Sequence, residues 1–512
     1  MVSVVTSGVP DGMEGRLIYV EVDVGNGLPS FSVVGLPNTA VQEAKARVRS
    51  ALINSGFSFP AKKITVNLSP ADCRKRGTHL DLPIAVGIVA ASEPAVKMDL
   101  NHIALAGELS LDGNLKPVTG AISLAAGISA GGIRKILLPA ENAGEAAFVD
   151  GIQSYPVSTL LQAVHFLMGR YTAQPARKMW RKQGTEDVQE DFSDVAGQTE
   201  AIRMIAVAAG GFHSLLLTGP AGSGKSMLIK RMPTIMADLS EREQTELMNI
   251  YGGITEKEKE KRDPCRPPFR MPHHTCSVSA MTGGGRIPQP GEITLAHRGI
   301  LFLDEIVEFD KRVLEALRQP LEDGIITVAR EMAVVTYPTR FLLAAARNPC
   351  PCGFFGDGRR VCRCSENQIR RYREKVSEAL LDRFDLFLDV EPEREALFEM
   401  CREKNKEKGI SSREIRKQVE LARAVQKKRY GEDRTLYNGQ LSPEEIKRYC
   451  PLHRQVSDFL EEAARTLGMS TRAIHKTVKV ARTIADMQES REIQVSHAAE
   501  ALQYRRRQND IF

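Results

Sequence analysis

Residues 214–232 read SLLLTGPAGSGKSMLIKRM, a short apolar run that leads into a glycine-rich loop and then into a helix-forming segment. The loop fits the spacing G-x-x-x-x-G-K-S between a predicted strand and a predicted helix, which is the context in which this motif binds phosphates. Its glycines let backbone N–H groups turn toward phosphate oxygens. The sequence therefore predicts a doubly wound parallel α/β domain that binds ATP. Eight residues are expected around the phosphates: Gly219, Pro220, Ala221, Gly222, Ser223, Gly224, Lys225 and Ser226.

A second predicted strand, GILFLDEI at residues 299–306, ends in two acidic residues. After a phosphate loop, Asp304 is expected to hold magnesium together with the Ser226 hydroxyl, and Glu305 to polarise the attacking water. Lys225 would reach the β and γ phosphates. Without the loop upstream, two acids at a strand end would more simply be a helix cap or a solvated pair.

Three further polar residues extend the predicted site. Asn348 ends a third predicted strand, RFLLAAARN at 340–348, where its amide could orient the same water. Arg383, in LLDRFD at 380–385, is interpreted as a finger into a neighbouring subunit. Arg472, in STRAIHK at 470–476, is interpreted as a sensor that reaches back to the nucleotide. The alternatives are a plain surface arginine for Arg383 and an i,i+4 salt bridge for Arg472.

Four of the nine cysteines lie within NPCPCGFFGDGRRVCRC, residues 348–364. The spacing C-x-C-x9-C-x-C supplies four thiolates, enough for one closed tetrahedral zinc site: Cys350, Cys352, Cys362 and Cys364. The spacing is tighter than the usual C-x2–4-C, so both members of each pair can bind only through a particular turn. Structural zinc is favoured, with reduced free thiols or a redox switch as alternatives.

Composition and charge divide the chain into several predicted domains. Of the 512 residues, 42% are hydrophobic and only 6% aromatic, and the net charge of +6 permits a polyanionic partner without requiring one. Polar residues dominate 171–190, interpreted as a linker after an α/β domain at 1–170. The nucleotide-binding core is placed at 191–394 and a helical lid domain at 395–512. Because the sequence has no run of about 18 apolar residues and no signal peptide, we expect a cytoplasmic protein without membrane contact.

At this point the sequence resembles a known family. Residues 269–324, FRMPHHTCSVSAMTGGGRIPQPGEITLAHRGILFLDEIVEFDKRVLEALRQPLEDG, resemble the magnesium-chelatase-like ATPases. Together with NPCPCG at 348–353 and STRAIHKTVKVARTIADM at 470–487, they are similar to the ComM/YifB family. The likeness extends into the N-terminal ITVNLSPADCRKRGTHLDLPIAVGI at 64–88, so nearly the whole chain is covered. The resemblance implies a bacterial, hexameric AAA+ motor that acts on DNA as a branch-migration helicase during integration of incoming DNA, beside recombination proteins.

The resemblance also implies two insertions. ITVAREMAVVTY at 326–337 is expected to form a hairpin, with Arg330 near its tip able to touch a phosphate backbone, and 253–296 would be a helix-2 insertion. The alternatives are a plain antiparallel extension and a disordered surface loop. Arg347 departs from the family, whose members carry methionine before NPCPCG, and is expected to bring an extra charge near the γ phosphate.

The N-terminal region, including GELSLDGNLKPVTGAISLAAGISAGGIRKILLPAEN at 107–142, resembles the Lon protease fold. His79 aligns with that family's serine nucleophile, and Ile122 aligns with its lysine. Thr78 and Lys116 lie nearby but at non-matching positions. Because a serine–lysine site needs both partners, we expect no proteolysis, and a role in ring assembly or partner binding instead.

Two other functions share the same ATPase chemistry. A protein-remodelling ATPase would use the N-terminal domain as an adaptor, and a magnesium-chelatase ATPase subunit would lack both that fused domain and the cysteine cluster. DNA-stimulated, salt-sensitive hydrolysis would favour the DNA motor, whereas stimulation by a folded protein would favour remodelling.

Overall fold

Two β-sheets organise the chain, one in each of two units. The computed structural model describes residues 2–11, 14–71, 75, 77–93, 96–178, 190–252, 265–285, 288–330, 333–356, 360–391, 409–431 and 434–505. The first unit contains the described residues up to 178 together with 245–252, and the second contains those in 190–244 and 265–505.

The first unit is an α/β structure with a seven-stranded mixed sheet in the order β3-β4-β2-β1-β5-β8-β9. The strands of this unit are β1 (Val2–Asp11), β2 (Glu14–Gly25), β3 (Ser30–Val34), β4 (Lys63–Ser69), β5 (Ile103–Leu105), β6 (Glu108–Leu109), β7 (Leu115–Lys116), β8 (Lys135–Pro139) and β9 (Gln153–Val157). Of these, β6 and β7 form a separate two-stranded pair. Its helices are α1 (Thr39–Gln42), α2 (Ala44–Asn54), α3 (Asp81–Ser92), α4 (Ala121–Ala130), α5 (Ala140–Ala146) and α6 (Leu160–Leu167). Strands β1, β2 and β4 pair antiparallel, and β5, β8 and β9 pair parallel.

The second unit contains a parallel sheet, short hairpins and a set of helices. Its strands are β10 (Leu215–Thr218), β11 (Phe269–Arg270), β12 (Gly283–Gly284), β13 (Gln289–Pro290), β14 (Ile300–Leu303), β15 (Ile325–Arg330), β16 (Ala333–Pro338), β17 (Leu342–Arg347) and β18 (Leu386–Asp389). The helices up to the sheet's last strand are α7 (Thr199–Gly211), α8 (Lys225–Arg231), α9 (Glu241–Tyr251), which begins in this unit, α10 (Val278–Thr282), α11 (Glu292–Leu295), α12 (Lys311–Ala316), α13 (Arg318–Asp323), α14 (Glu366–Arg373) and α15 (Glu378–Leu381).

The parallel sheet has the strand order β11-β14-β17-β10-β18. Strands β10 and β14 are buried at every position, as expected for parallel strands covered on both faces. Ala345 of β17 lies opposite Leu216 of β10 on one side and Leu303 of β14 on the other. The carboxyl ends of these three strands therefore meet at one edge, where open α/β sheets bind their ligands.

The predicted hairpin is present and leaves the sheet as a separate pair of strands. Strands β15 and β16 pair antiparallel from Ile325 opposite Pro338 to Arg330 opposite Ala333. The tip, 331–332, and the Arg330 side chain lie outside the described part, as do residues 253–264 and 286–287 of the expected insertion.

The described C-terminal region is helical, as predicted. It contains α16 (Ser412–Tyr430), α17 (Pro443–Tyr449), α18 (Arg454–Thr466), α19 (Thr471–Met487) and α20 (Val495–Gln503). Among the residues described, no helix combines the length and apolarity needed to cross a membrane. The predicted fold class is confirmed: a mixed N-terminal sheet, a central five-stranded parallel sheet and a C-terminal helical region.

Candidate nucleotide site and cysteine cluster

Glycines shape the phosphate loop between β10 and α8. Gly222 and Gly224 have φ angles of 81° and 89°, in the left-handed region that glycine adopts without steric cost. Lys225 is the first residue of α8, and its Nζ donates to the carbonyl oxygens of Gly219 and Pro220, each at 2.7 Å. The loop therefore holds the lysine ammonium beside its own backbone.

Lys225 meets groups from the two neighbouring strands. Burial lowers the pKa of Lys225 to about 8, and the carboxylates of Asp304 and Glu305 oppose that shift without cancelling it. Its Nζ also donates to Asn348 Oδ1 at 3.4 Å. The ends of β10, β14 and β17 thus bring the lysine, the acidic pair and the amide together.

The acidic pair at the end of β14 has two different environments. Ser226 Oγ donates to Asp304 Oδ1 at 2.9 Å, so a hydroxyl and a carboxylate oxygen, ligands that magnesium accepts, lie together. Glu305 is exposed and has φ 51° and ψ 52°, a left-handed conformation that costs free energy for a residue with a side chain. Its N–H donates to Asp304 Oδ1 at 3.1 Å. The turn therefore gives the two carboxylates different environments. Asp304 is partly buried and suited to a cation, whereas Glu305 is exposed and suited to a water molecule.

Arg347 lies at the same sheet edge as Asn348. Its Nε donates to the Thr218 hydroxyl at 3.1 Å, across to β10. Its positive charge also acts to lower the pKa of Asp389 at the end of β18, although burial dominates and the net shift is upward. The extra cation expected from the sequence is thus directed toward β10 and β18.

Arg383 and Arg472 lie together, around one carboxylate. Arg383 Nη2 donates to Glu322 Oε2 at 2.6 Å, and Arg472 Nη2 lies 3.9 Å from Glu322 Oε1. The Arg383 side chain is only 10% exposed, and its buried Nε has no hydrogen-bond partner in the described part of the chain. The sequence predicts Arg472 as a sensor that reaches back to the nucleotide. The structure places it beside Arg383, in a cavity of about 650 Å³ that none of the phosphate-loop residues lines.

Lys476, one turn after Arg472 on α19, fixes the segment that carries Arg383. Its Nζ donates to the carbonyl oxygens of Asp382 at 2.7 Å and Phe384 at 3.0 Å, and lies 3.0 Å from Asp385 Oδ1. The lid helix therefore bonds to both neighbours of Arg383. This contact explains why the two arginines share one cavity.

The four predicted cysteines form one cluster. Their Sγ atoms all lie within 4.8 Å of one another, and the Sγ atom of Cys350 is 3.4 Å from that of Cys352 and 3.7 Å from that of Cys362. Tetrahedral zinc with Zn–S bonds of 2.3 Å requires thiolates about 3.8 Å apart. The thiols therefore fit a zinc ion, and Gly353, with φ 81°, provides the turn that the tight spacing requires.

The residues aligned with a protease dyad are enclosed in the first unit. His79 is 3% exposed with Nε2 3.0 Å from the Gly8 carbonyl oxygen, and burial lowers its pKa to about 4. Ile122 is 1% exposed. Of the two nearby residues, Thr78 donates its hydroxyl to the Glu108 carboxylate, and Lys116 is exposed. The described contacts thus join neither His79 nor Thr78 to a lysine.

Sequence reasoning missed Glu322 and Lys476. Glu322 lies in LEDG at 321–324, just before the hairpin, and its only local signal is an acid two residues before a turn glycine. Lys476 stands four residues after Arg472, so the two cations share a helix face, which is a weak signal for a shared target.

Comparisons with known proteins cover nearly the whole chain. The family described as magnesium chelatase, subunit ChlI matches residues 191–397, subunit ChlI of Mg-chelatase matches 20–142, and magnesium chelatase, subunit ChlI C-terminal matches 409–505. The chain is 40% identical to competence protein ComM of Haemophilus influenzae, over 98% of this chain and 97% of ComM. It is 42% identical to the uncharacterized protein YifB of Escherichia coli, over 98% and 97%. The chain is 26% identical to magnesium-chelatase subunit ChlI of Chlorella vulgaris, over only 31% of this chain and 51% of that protein.

Proposed function

We propose that this chain is a hexameric motor that couples ATP hydrolysis to branch migration of DNA. The premise is that the chain belongs to the ComM/YifB family of magnesium-chelatase-like ATPases. Membership of this AAA-type family implies ATP hydrolysis. The observation that carries the DNA role is the similarity to a competence protein over nearly the full length of both chains, whereas the chelatase subunit matches only 31% of this one.

The groups at the sheet edge suit phosphoryl transfer to water. Lys225 would neutralise the β and γ phosphates, and Ser226 with Asp304 would hold magnesium, which supplies positive charge between the phosphates when bound. Glu305 would polarise the attacking water, and Asn348, which accepts from Lys225 at 3.4 Å, would orient that water.

The two arginines support a ring. Because Arg383 and Arg472 both contact Glu322 and neither has a described contact with the phosphate loop of its own subunit, we assign both to the nucleotide of a neighbouring subunit. A closed ring gives every nucleotide such a pair, and the family resemblance implies six subunits.

The cysteine cluster is assigned a structural zinc ion on the fit of its four thiols. Cys350 lies two residues after Asn348, so the ion would fix the segment that follows the water-orienting amide. Reduced thiols would leave that segment without a cross-link, and a redox switch would cross-link it only in the oxidised state.

The first unit is assigned no peptidase activity. Its His79 and Ile122 occupy the positions of the expected serine and lysine, and both are enclosed. We place the motor in the bacterial cytoplasm, where ATP and chromosomal DNA are both present, with recombination proteins as expected partners.

The experiment that tests the function is ATP turnover with and without a four-way DNA junction, at two salt concentrations, for the wild type and Lys225→Ala. We expect junction-stimulated turnover in the wild type that weakens at high salt, because phosphate contacts release counterions, and none in the variant. Turnover indifferent to DNA but stimulated by a folded protein would replace the DNA role with protein remodelling.

A further inference from the structure

A surface groove of about 630 Å³ separates the cysteine loop from α14. The cysteine loop contributes one set of lining residues, which are Pro351, Cys352, Arg363 and Cys364. The helical side contributes Gln368, Arg371, Tyr372 and Lys375, and Glu308 completes the lining. The groove is distinct from the arginine cavity around Glu322, with which it shares no lining residue.

The groove carries uncompensated positive charge. Among the described residues, only Lys375 of its three cations has an acidic partner, Glu308, at 3.7 Å. Arg363 and Arg371 are exposed, and neither has an ion-pair partner within the described residues. One lies on the loop and the other on the helix, so each side of the groove presents a guanidinium to which the described residues offer no ion pair.

Both sides are held in place. Arg363 stands between Cys362 and Cys364, two members of the thiol cluster. The loop that presents Arg363 is therefore fixed from both ends wherever the cluster is closed. On the other side, Tyr372 of α14 is 7% exposed and anchors the helix that carries Arg371.

The groove also adjoins the hydrolytic residues. Glu308, which lines the groove, lies in the turn that follows β14, three residues after Glu305. Cys350 is two residues from Asn348 along the chain. A ligand in the groove would thus touch elements that continue directly into the nucleotide site.

We propose that this groove binds the sugar-phosphate backbone of a single nucleic-acid strand, with Arg363 and Arg371 each contacting a phosphate; the proposal rests on the DNA role proposed above. Guanidinium groups match phosphate oxygens with paired N–H donors, and two of them on separate sides suit two phosphates of one chain. Apart from the cations, the lining offers chiefly Gln368 to distinguish one base from another, so binding is independent of sequence.

The test uses the full-length protein and a fluorescent single-stranded oligothymidylate, with binding followed by anisotropy over a series of salt concentrations. The test variant is Arg363→Glu, Arg371→Glu. The matched control is Arg360→Glu, Arg370→Glu, which makes the same charge change on the same loop and helix but outside the groove. Arg360 packs over Phe354 at 5.0 Å, and Arg370 pairs with Glu374 at 2.8 Å.

The test variant should bind more weakly and lower the slope of log K against log salt by about 1.4, which is two phosphate contacts at 0.7 each, while the control keeps the wild-type slope. Zinc content, measured for both variants, shows whether the cluster is retained; if the glutamate variant loses zinc, Arg363→Gln, Arg371→Gln replaces it, with the same expected change of slope.

If the test and control variants have equal salt slopes, the groove proposal is wrong. DNA binding by the wild type in the same experiment would still support the proposed function. A wild type that binds no oligonucleotide would overturn both. Polyglutamate binding without oligonucleotide binding would reassign the groove to an acidic protein segment and overturn the proposal.

Discussion

Replacing Lys476 with methionine removes the contact that joins the lid helix α19 to the segment carrying Arg383. The Lys476 side chain is 8% exposed and the Asp385 side chain 9% exposed, and they form an ion pair at 3.0 Å. The variant leaves Asp385 with His213, 3.4 Å away, as its remaining described side-chain partner. Removing one partner of a buried pair costs about 3–5 kcal/mol, and because His213 stays, we expect about 3 kcal/mol of lost unfolding free energy.

The same substitution should slow hydrolysis without weakening ATP binding. Lys476 bonds to the carbonyl oxygens of Asp382 and Phe384, and only Phe384 keeps another described donor, Arg505 Nη1 at 3.0 Å. The segment around Arg383 therefore loosens, while the phosphate loop is untouched. We expect a lower kcat with an unchanged Kd for ATP.

The assays are urea unfolding followed by circular dichroism, and steady-state ATP turnover. The matched control is Lys479→Met on the same helix, which loses one hydrogen bond, from Nζ to the Gly439 carbonyl oxygen at 2.7 Å, worth about 1.5 kcal/mol. Equal losses of stability in both variants, or an unchanged kcat for Lys476→Met, would refute the positioning role.

Four further predictions concern the site itself. Glu305→Gln should bind ATP and leave it unhydrolysed, because the water loses its polarising carboxylate; wild-type turnover would remove that assignment. Arg383→Ala subunits should regain turnover when mixed with Lys225→Ala subunits, because the finger acts across an interface, and a mixture that stays inactive would count against a ring. With the pKa of Lys225 near 8, ATP binding at pH 8.5 should take up about 0.75 proton, because the phosphates restore the charged ammonium, and affinity should fall as pH rises above 8; calorimetry in buffers of different ionisation enthalpy measures the uptake, which Lys225→Arg should abolish. Metal analysis should find about one zinc per wild-type chain and none in Cys350→Ser, Cys362→Ser; a stable, metal-free wild type would contradict the zinc assignment.

Local patterns predict much of this structure because local chemistry produces it. The sequence TRAIHKTVKVARTIADM, within the predicted helical domain, forms α19, Thr471–Met487, since its apolar residues recur at helical spacing. The phosphate loop and the four-thiol cluster are likewise encoded by residue type and short spacing. Strand β1 is not evident from the sequence because Gly8 and Pro10 interrupt it, and its ten-residue pairing with β2 supplies the order that its composition lacks.

Contacts between distant segments could not be read in the same way. Glu322 and Arg472 are 150 positions apart in the chain, and nothing in either local pattern indicates that they meet. Arg472 lies one turn before Lys476, a buried cation whose partners are two backbone carbonyls and Asp385, and backbone partners leave no trace in side-chain pattern. The direction of Arg347, toward Thr218, similarly follows from sheet register.

The most direct test of the motor function is a three-stranded branch-migration assay with labelled DNA, run with the wild type and with Glu305→Gln at equal protein concentration. We predict that the wild type displaces the labelled strand in the presence of ATP and magnesium, and that Glu305→Gln binds the same DNA and displaces none. Strand displacement that is equal in both proteins, or absent from a wild type that actively hydrolyses ATP, would contradict the coupling of this nucleotide site to DNA movement.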